Sequence, residues 1–249
     1  MIVDGLAYLG ESIQGYHQSV DELLTYLDGL RIDRAVVVPV KPPGYHLEPE
    51  NERVAAAARA HPDRLVGFAR VDPLRGESAA REVERGAAEL GLRGLFLHPW
   101  EETFRIDDRR LDPVLAAVAT HHLPVLVATG YPWVAQAPQV AELARRFPQT
   151  PILMTHAGQL DISGLSGVGA LRALRERPNL LIQTAGVYRD DFLAQVAAEL
   201  GAARLVFATN SPLMDPRLEL ERVRWAHLDE AAKPAILGSN LAALLGLGR

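Results

Sequence analysis

The chain has 249 residues, 48% of them hydrophobic, which suits one barrel-sized domain as well as two smaller ones. Its formal charge of -5 is spread over mixed acidic and basic positions, so there is no basic block for nucleic acid and no polybasic patch for a membrane surface. It has no cysteine, which excludes disulfides, thiolate metal sites and a cysteine nucleophile.

The opening residues MIVDGLAYLGES lack the basic region and apolar core of a signal peptide, and their apolar run is too short to span a bilayer. A cytoplasmic protein is expected. Short runs rich in Val, Ile and Leu then recur at 2–4, 34–40, 65–72, 93–98, 124–129, 151–156, 179–184 and 204–209. Their unbroken apolar character predicts parallel strands covered on both faces. Between them lie segments of helical spacing at 20–30, 52–60, 78–90, 111–119, 139–147, 171–175, 192–200 and 218–226, several ending at Pro or Gly. A last helix is predicted over 234–245. Eightfold strand–helix alternation predicts a closed (β/α)₈ TIM barrel, and the absence of a Ser/Gly/Pro linker predicts a single domain over 1–249.

In such a barrel the chemistry sits at the carboxyl ends of the strands. Residues at those ends are Asp4, Leu6 and Tyr8; Lys41; Arg70 and Asp72; His98 and Trp100; Tyr131 and Trp133; His156; Tyr188; and Asn210. Two long loops, 39–49 and 161–169, follow strands and are candidate walls. The set combines a few polar groups (His98, His156, Asn210, Arg70) with many aromatics (Tyr8, Trp100, Tyr131, Trp133, Tyr188), as a small-molecule pocket does. Any one of these aromatics reads first as cover for the top of the core; the cluster as a whole favours the pocket. Arg70 and Asp72, two apart on one strand, share a face and read as an internal ion pair or as a clamp for a substrate carboxylate. Lys41, one of two lysines, reads as a solvated loop charge or as an amine for anion binding or a Schiff base. His121 and His122 precede the fifth strand and belong to the opposite, structural face. His17, His46, His61 and His227 fall in helices or loops, His17 and His46 within possible reach of the mouth.

Several segments share an order and spacing with a known family. VDGLAYLG (3–10) stands where that family opens Ile-Asp-x-His-x-His-x-Gly. HPDRLVGFARVDP (61–73), GLRGLFLHP (91–99), LPVLVATG (123–130), ILMTHAG (152–158), RLVFATNSP (204–212) and ILGSNLAALLGL (236–247) follow in register. The chain resembles the amidohydrolase-related family, in its decarboxylase and lactonase branch. The resemblance implies a metal-dependent-hydrolase-like barrel, a small-molecule ligand and a homodimer.

At the family's metal positions this sequence departs. Leu6 and Tyr8 replace the first-strand histidines, Ala128 the fifth-strand histidine and Asn210 the eighth-strand aspartate; His156 keeps its type, with His98 beside it. A catalytic zinc site needs about three donors from His, Asp, Glu or Cys. Leu6 and Ala128 have no donor atom, the Tyr8 phenol is protonated at neutral pH, and Asn210 offers a neutral carbonyl. No resident metal is therefore expected; the alternative is one weakly bound divalent ion on a rebuilt site such as Asp4, His98 and His156. The expected activity is a metal-independent hydrolase or lyase acting on a small cyclic or aromatic carbonyl or carboxylate compound. His156 would move the proton, and His98 and Asn210 would meet the developing negative charge. The alternative is an inactive relative that binds a small ligand or a protein partner. Each residue also has a plainer role: His156 a hydrogen-bonded remnant, His98 the organiser of the turn at Pro99, Asn210 a neutral filler that avoids an unbalanced buried charge.

Overall fold

Capping, apolar runs and one close-packed glycine explain how the strands and helices are laid out. In the computed structural model, which describes residues 1–159 and 165–248, the first strand β1 (Val3–Glu11) turns into a short antiparallel partner, β2 (His17–Gln18). Ser19 then starts α1 (Val20–Leu30): its hydroxyl accepts from Glu22 N–H while Glu22 reaches back to Ser19 N–H, a reciprocal cap that satisfies two otherwise orphaned donors. There follow β3 (Arg34–Pro39), α2 (Glu48–Ala60), β4 (Leu65–Gly67), β5 (Ala69–Arg70), α3 (Glu77–Ala88), β6 (Leu95–Leu97), α4 (Asp112–Thr120), β7 (Val125–Val127) and α5 (Ala137–Arg146). The second half continues with β8 (Ile152–Met154), α6 (Leu165–Glu176), β9 (Leu180–Gln183), α7 (Asp190–Leu200), β10 (Leu205–Val206) and α8 (Pro216–Trp225). A π-turn, Ala235–Ser239, runs into α9 (Asn240–Leu244).

The strands form two parallel ladders, β1-β3-β4 with β2 at the edge, and β5-β6-β7-β8-β9-β10. They meet at two seams. At Phe68 the chain changes partners: Phe68 N–H donates to Val37 O at 2.9 Å and Ala69 N–H to Gly94 O at 2.8 Å. A Cβ on Gly94 would lie 2.4 Å from the Phe68 ring, so glycine there lets the ring reach the interior. At the other seam, Gly5 N–H donates to Phe207 O (2.9 Å), Tyr8 N–H to Ser211 O (2.8 Å) and Asn210 N–H to Leu6 O (2.9 Å). Eight strand positions thus follow one another around the predicted (β/α)₈ barrel, with β4 and β5 as two halves of the third.

Strand parity sorts the core into two layers. Val36, Val38, Val40 and Phe96 join an inner cluster with Leu6, Tyr8, Phe68, Leu126, Ala128 and Leu153. Their neighbours Ala35, Val37, Leu95 and Leu97 join the outer cluster beneath the helices. Leu241, Ala242 and Leu245 belong to the inner cluster, so the predicted last helix closes the barrel rather than lying on its surface. The structure differs from expectation in three ways. The first strand runs to Glu11 instead of stopping at residue 4, so Leu6 and Tyr8 are strand residues. The third strand is broken at Phe68, and α6 is far longer than 171–175 because small residues (Gly167, Gly169, Ala170) masked its helical spacing. The 161–169 loop is in part α6, and its residues 161–164 lie outside the described ones.

Candidate active site at the barrel mouth

The mouth divides into a charged side and an uncharged side. On the charged side, β5 ends at Arg70, whose side chain is fully buried. Its guanidinium donates to Pro39 O at 3.0 Å, to Glu102 Oε1 at 2.8 Å and closely to Glu101 Oε2. Its backbone is clamped by Asn51, which accepts from Arg70 N–H at 2.7 Å and donates to Arg70 O at 3.0 Å. Lys41 donates to Glu101 O and lies 3.9 Å from Glu102, and Gln14 Nε2 donates to Glu101 Oε1 at 3.0 Å. Burial opposes the Arg70 charge, but Glu102 and Glu101 outweigh it and hold the guanidinium protonated. Burial raises the Glu102 carboxyl, with Arg70 pulling the other way.

This overturns the expected Arg70–Asp72 pair. The strand stops at Arg70, so two-residue parity no longer applies; Asp72 instead caps the turn Pro73–Arg75 by accepting from Leu74 N–H, and lies 3.8 Å from Arg75. Nor is Lys41 a solvated loop charge: its side chain is 17% exposed and committed to this cluster.

A series of rings runs outward from the interior. Tyr8 meets Phe96 at 5.7 Å between centroids, Phe96 meets His98 at 5.8 Å, His98 meets Tyr131 at 5.4 Å, and Tyr131 stacks on Trp100 at 5.7 Å. Burial pushes the Tyr8 phenol well above its usual value and raises Tyr131 as well, so both stay protonated. Trp133 and Tyr188 fall outside this series and stand 78% and 73% exposed. His17 and His46 are exposed too, His17 lying 3.6 Å from Glu22.

On the uncharged side, β8 ends in His156, Ala157 and Gly158, all three left-handed (φ 51°, 50° and 75°). For residues with a Cβ this conformation costs on the order of 1–2 kcal/mol each, and such strain concentrates at functional sites. Asn210, after β10, is also left-handed (φ 56°), a conformation Asn tolerates better than most. His156 and Asn210 are buried.

The two histidines are held in opposite tautomers. His156 Nδ1 lies 3.1 Å from Ala185 O, and a carbonyl only accepts, so Nδ1 carries the proton and Nε2 keeps its lone pair. His98 Nδ1 accepts from Glu101 N–H at 3.2 Å, so its proton sits on Nε2. Burial lowers both imidazoles below their usual value; for His98, Arg70 adds to the effect and the value falls well below. At neutral pH both are uncharged, one offering an acceptor and one a donor. The Glu101 bond also shows His98 organising the turn after Pro99.

Among the described residues, few side chains at the mouth offer a donor to a divalent cation. Leu6, Tyr8 and Ala128 all belong to the apolar inner cluster. Asp4 accepts from Leu6 N–H (3.1 Å), Thr209 N–H (2.7 Å), Thr209 Oγ1 (2.5 Å) and Tyr26 OH (2.8 Å), so its carboxylate joins β1 to the last strand. Among the described residues, no three His, Asp or Glu side chains converge on a point that could hold an ion.

Glu101, Glu102, Gln14 and Asn51 were not anticipated as site residues. The two glutamates directly follow His98-Pro99-Trp100, so their position on the rim was readable; their partnership with Arg70, 31 and 32 residues away, was not.

Comparison with known proteins adds the following. The family model described as amidohydrolase matches residues 11–247, beginning just past the segment that carries Leu6 and Tyr8. A curated relative, gamma-resorcylate decarboxylase from Rhodococcus jostii (strain RHA1), is 24% identical over 80% of this chain and 76% of its own length. Among solved structures, 2,6-dihydroxybenzoate decarboxylase from Rhizobium aligns with a TM-score of 0.79 at 17% identity, covering 99% of this chain and 98% of the other. A dihydroxybenzoic acid decarboxylase from Polaromonas sp. JS666, with bound manganese and the inhibitor 2-nitroresorcinol, aligns with a TM-score of 0.81 at 17% identity, covering 100% and 97%.

Proposed function

The chain belongs to the amidohydrolase family, and on that premise we propose that it is a metal-independent hydrolase or lyase acting on a small aromatic or cyclic carboxylate or carbonyl compound. The observation that carries this reading is the opposed pair of tautomers: His156 with a free lone pair on Nε2 and His98 with a proton on Nε2. The names of the relatives, decarboxylases of resorcylate and dihydroxybenzoate, support an aromatic acid as the substrate class. Tyr8 and Tyr131, in the ring series, would flank the ring, with Trp100 as its outer edge.

For a lactone the steps balance without a cation. His156 Nε2 takes a proton from water as the water oxygen bonds to the carbonyl carbon. His98 Nε2–H and the Asn210 amide donate to the carbonyl oxygen as it becomes negative. The ring C–O bond then breaks, and the proton passes from His156 to the leaving oxygen. Ring opening suits two resting neutral histidines better than decarboxylation does, since decarboxylation needs a proton delivered to carbon. Arg70 is not assigned the substrate carboxylate, because Glu101 and Glu102 already occupy it.

The test is turnover of hydroxybenzoates and aromatic lactones by protein stripped with a chelator, with and without added manganese. Turnover unaffected by the metal is expected, and His156→Ala should lower it by about 10²–10⁴-fold with the unfolding curve unchanged. Turnover that appears only with manganese would refute the reading. A second reading, ligand binding without turnover, is favoured by the burial of His98 and His156, 4% and 6% exposed. Calorimetric binding of an aromatic acid with no product formed would select it.

A further inference from the structure

The feature behind His156 is a single peptide unit. Residues Thr184 to Val187 form a tight turn after β9, closed by Val187 N–H to Thr184 O at 3.4 Å, with Gly186 left-handed (φ 66°) in its third position. That conformation is the mark of a type II turn, and it demands glycine there. The middle peptide of the turn joins Ala185 to Gly186. Its carbonyl oxygen, Ala185 O, receives His156 Nδ1 at 3.1 Å; its N–H, on Gly186, donates to Glu219 Oε2 at 2.9 Å. One amide therefore has a histidine on one end and a carboxylate on the other.

The carboxylate is built in rather than incidental. Glu219 lies in the first turn of α8, 3% exposed. Arg222, one turn on, grips both its oxygens (Nε to Oε2 at 2.9 Å, a terminal nitrogen to Oε1 at 3.1 Å) and donates to Val187 O at 2.6 Å. Glu219 and Arg222 together thus hold the turn from two sides. The space behind the turn is full as well: a Cβ on Gly186 would come within 2.7 Å of His156 Nδ1 and 2.5 Å of Met214 Cε.

We propose that Glu219 is a positioning residue acting on His156 through the Ala185–Gly186 peptide. It selects the orientation of that amide, and the amide in turn selects which imidazole nitrogen carries the proton. The middle peptide of a tight turn has two orientations, related by a flip of about 180° that distinguishes type I from type II, and glycine permits both. Flipped, the amide would present N–H in place of C=O to His156, whose Nδ1 would have to accept. Nε2 would then be protonated and useless as a base. A buried anion facing Gly186 N–H opposes the flip. It also polarises the amide, strengthening Ala185 O as an acceptor, as linked hydrogen bonds do in a low-dielectric interior. The Glu219 charge acts on the ring in the same direction, favouring the imidazolium. The arrangement matches the role of the buried aspartate behind the histidine of a Ser-His-Asp triad, with a peptide unit interposed.

The bearing on turnover rests on His156 being the base proposed above, whereas the tautomer does not. The experiment is therefore the imidazole ¹⁵N spectrum of His156 in the full chain without substrate, at neutral pH, for the native protein, Glu219→Ala and Glu219→Gln. The native protein should show the proton on Nδ1. Glu219→Ala should move a measurable population to Nε2–H. Glu219→Gln, whose carbonyl still accepts from Gly186, should keep Nδ1–H but shift its resonance as the charge is lost. Should a chemistry of His156 be found, kcat would fall about tenfold in Glu219→Gln and further in Glu219→Ala, with KM little changed. A folded Glu219→Ala retaining Nδ1–H in full would overturn the proposal. If that variant does not fold, a Glu219→Gln spectrum identical to the native one overturns it alone. An inactive protein with the predicted spectra sinks the catalytic reading and leaves this one standing.

Discussion

This barrel buries carboxylates in two ways. Around Arg70, two glutamates are matched by a guanidinium and a lysine, so the charges balance within the cluster. Around Asp4, where β1 meets α1 and the last strand, one carboxylate sits among hydroxyls and amides with no cation among its hydrogen-bond partners. Leu6, Tyr8, Ala128 and Asn210, where the family resemblance implies donors, carry no charge: the first three lie in the apolar inner cluster and Asn210 is neutral. Where charge is dense, around Arg70, protein cations answer it. A lone carboxylate survives at Asp4 because four donors point at it.

Restoring donors should break the contrast most sharply. With Leu6→His, Tyr8→His, Ala128→His and Asn210→Asp combined, manganese retained after dialysis should rise from background to about one ion per chain, since three or four donors suffice for a closed site. Equal retention by the native protein would show that its donor-poor mouth binds metal after all.

Removing the cation from the balanced side comes next. Arg70→Met leaves Glu101 and Glu102 buried without their partner, and urea denaturation should register a loss of about 3–5 kcal/mol. Adding Glu101→Gln and Glu102→Gln should recover much of it. A loss under about 1 kcal/mol would mean that the glutamates simply turn out to solvent.

Asp4 supplies the pH-dependent counterpart. Burial raises its carboxyl from 3.8 to about 6, with the Thr209, Leu6 and Tyr26 hydrogen bonds working against the shift. The folded state therefore binds this proton more tightly than the unfolded chain. The stability it confers is complete below about pH 3.8 and is lost as pH rises through about 6, a change of roughly 3 kcal/mol. Urea midpoints measured from pH 4 to 7 should show this slope, and Asp4→Asn should abolish it.

The smallest effect belongs to the outer end of the ring series. Trp100 is 52% exposed and stacks on Tyr131 at an interplanar angle of 10°. Trp100→Ala should cost about 0.5–1.5 kcal/mol in thermal unfolding. A much larger loss would make Trp100 a structural cover for His98 rather than an outer wall.

The elements that were legible in the sequence are those set by local chemistry. Helix α1 was bounded to the residue by the helical spacing of its leucines, and its Ser19–Glu22 cap agrees. The apolar cores of the later strands were equally plain. β1 was read too short, because glycines and mixed polarity in DGLAYLG hide a strand whose partners lie at 34–39 and near 207–211. The site splits the same way. His98, His156, Asn210 and Tyr8 were placed at the mouth by strand register. The Arg70–Glu101–Glu102 cluster and the Glu219–Gly186–His156 chain depend on residues 29–33 positions apart, and no local pattern encodes those partnerships.

One further consequence follows from the way the barrel is shut at its base. Leu241, Ala242 and Leu245 fill the same inner cluster as Val3 and Val36. Residues 3–36 and 241–245 must therefore meet before the interior is dry. Until 241–245 dock, the helices can form but the barrel keeps an open, wettable bottom. Closure therefore waits on contacts between distant parts of the sequence, which form slowly in folding.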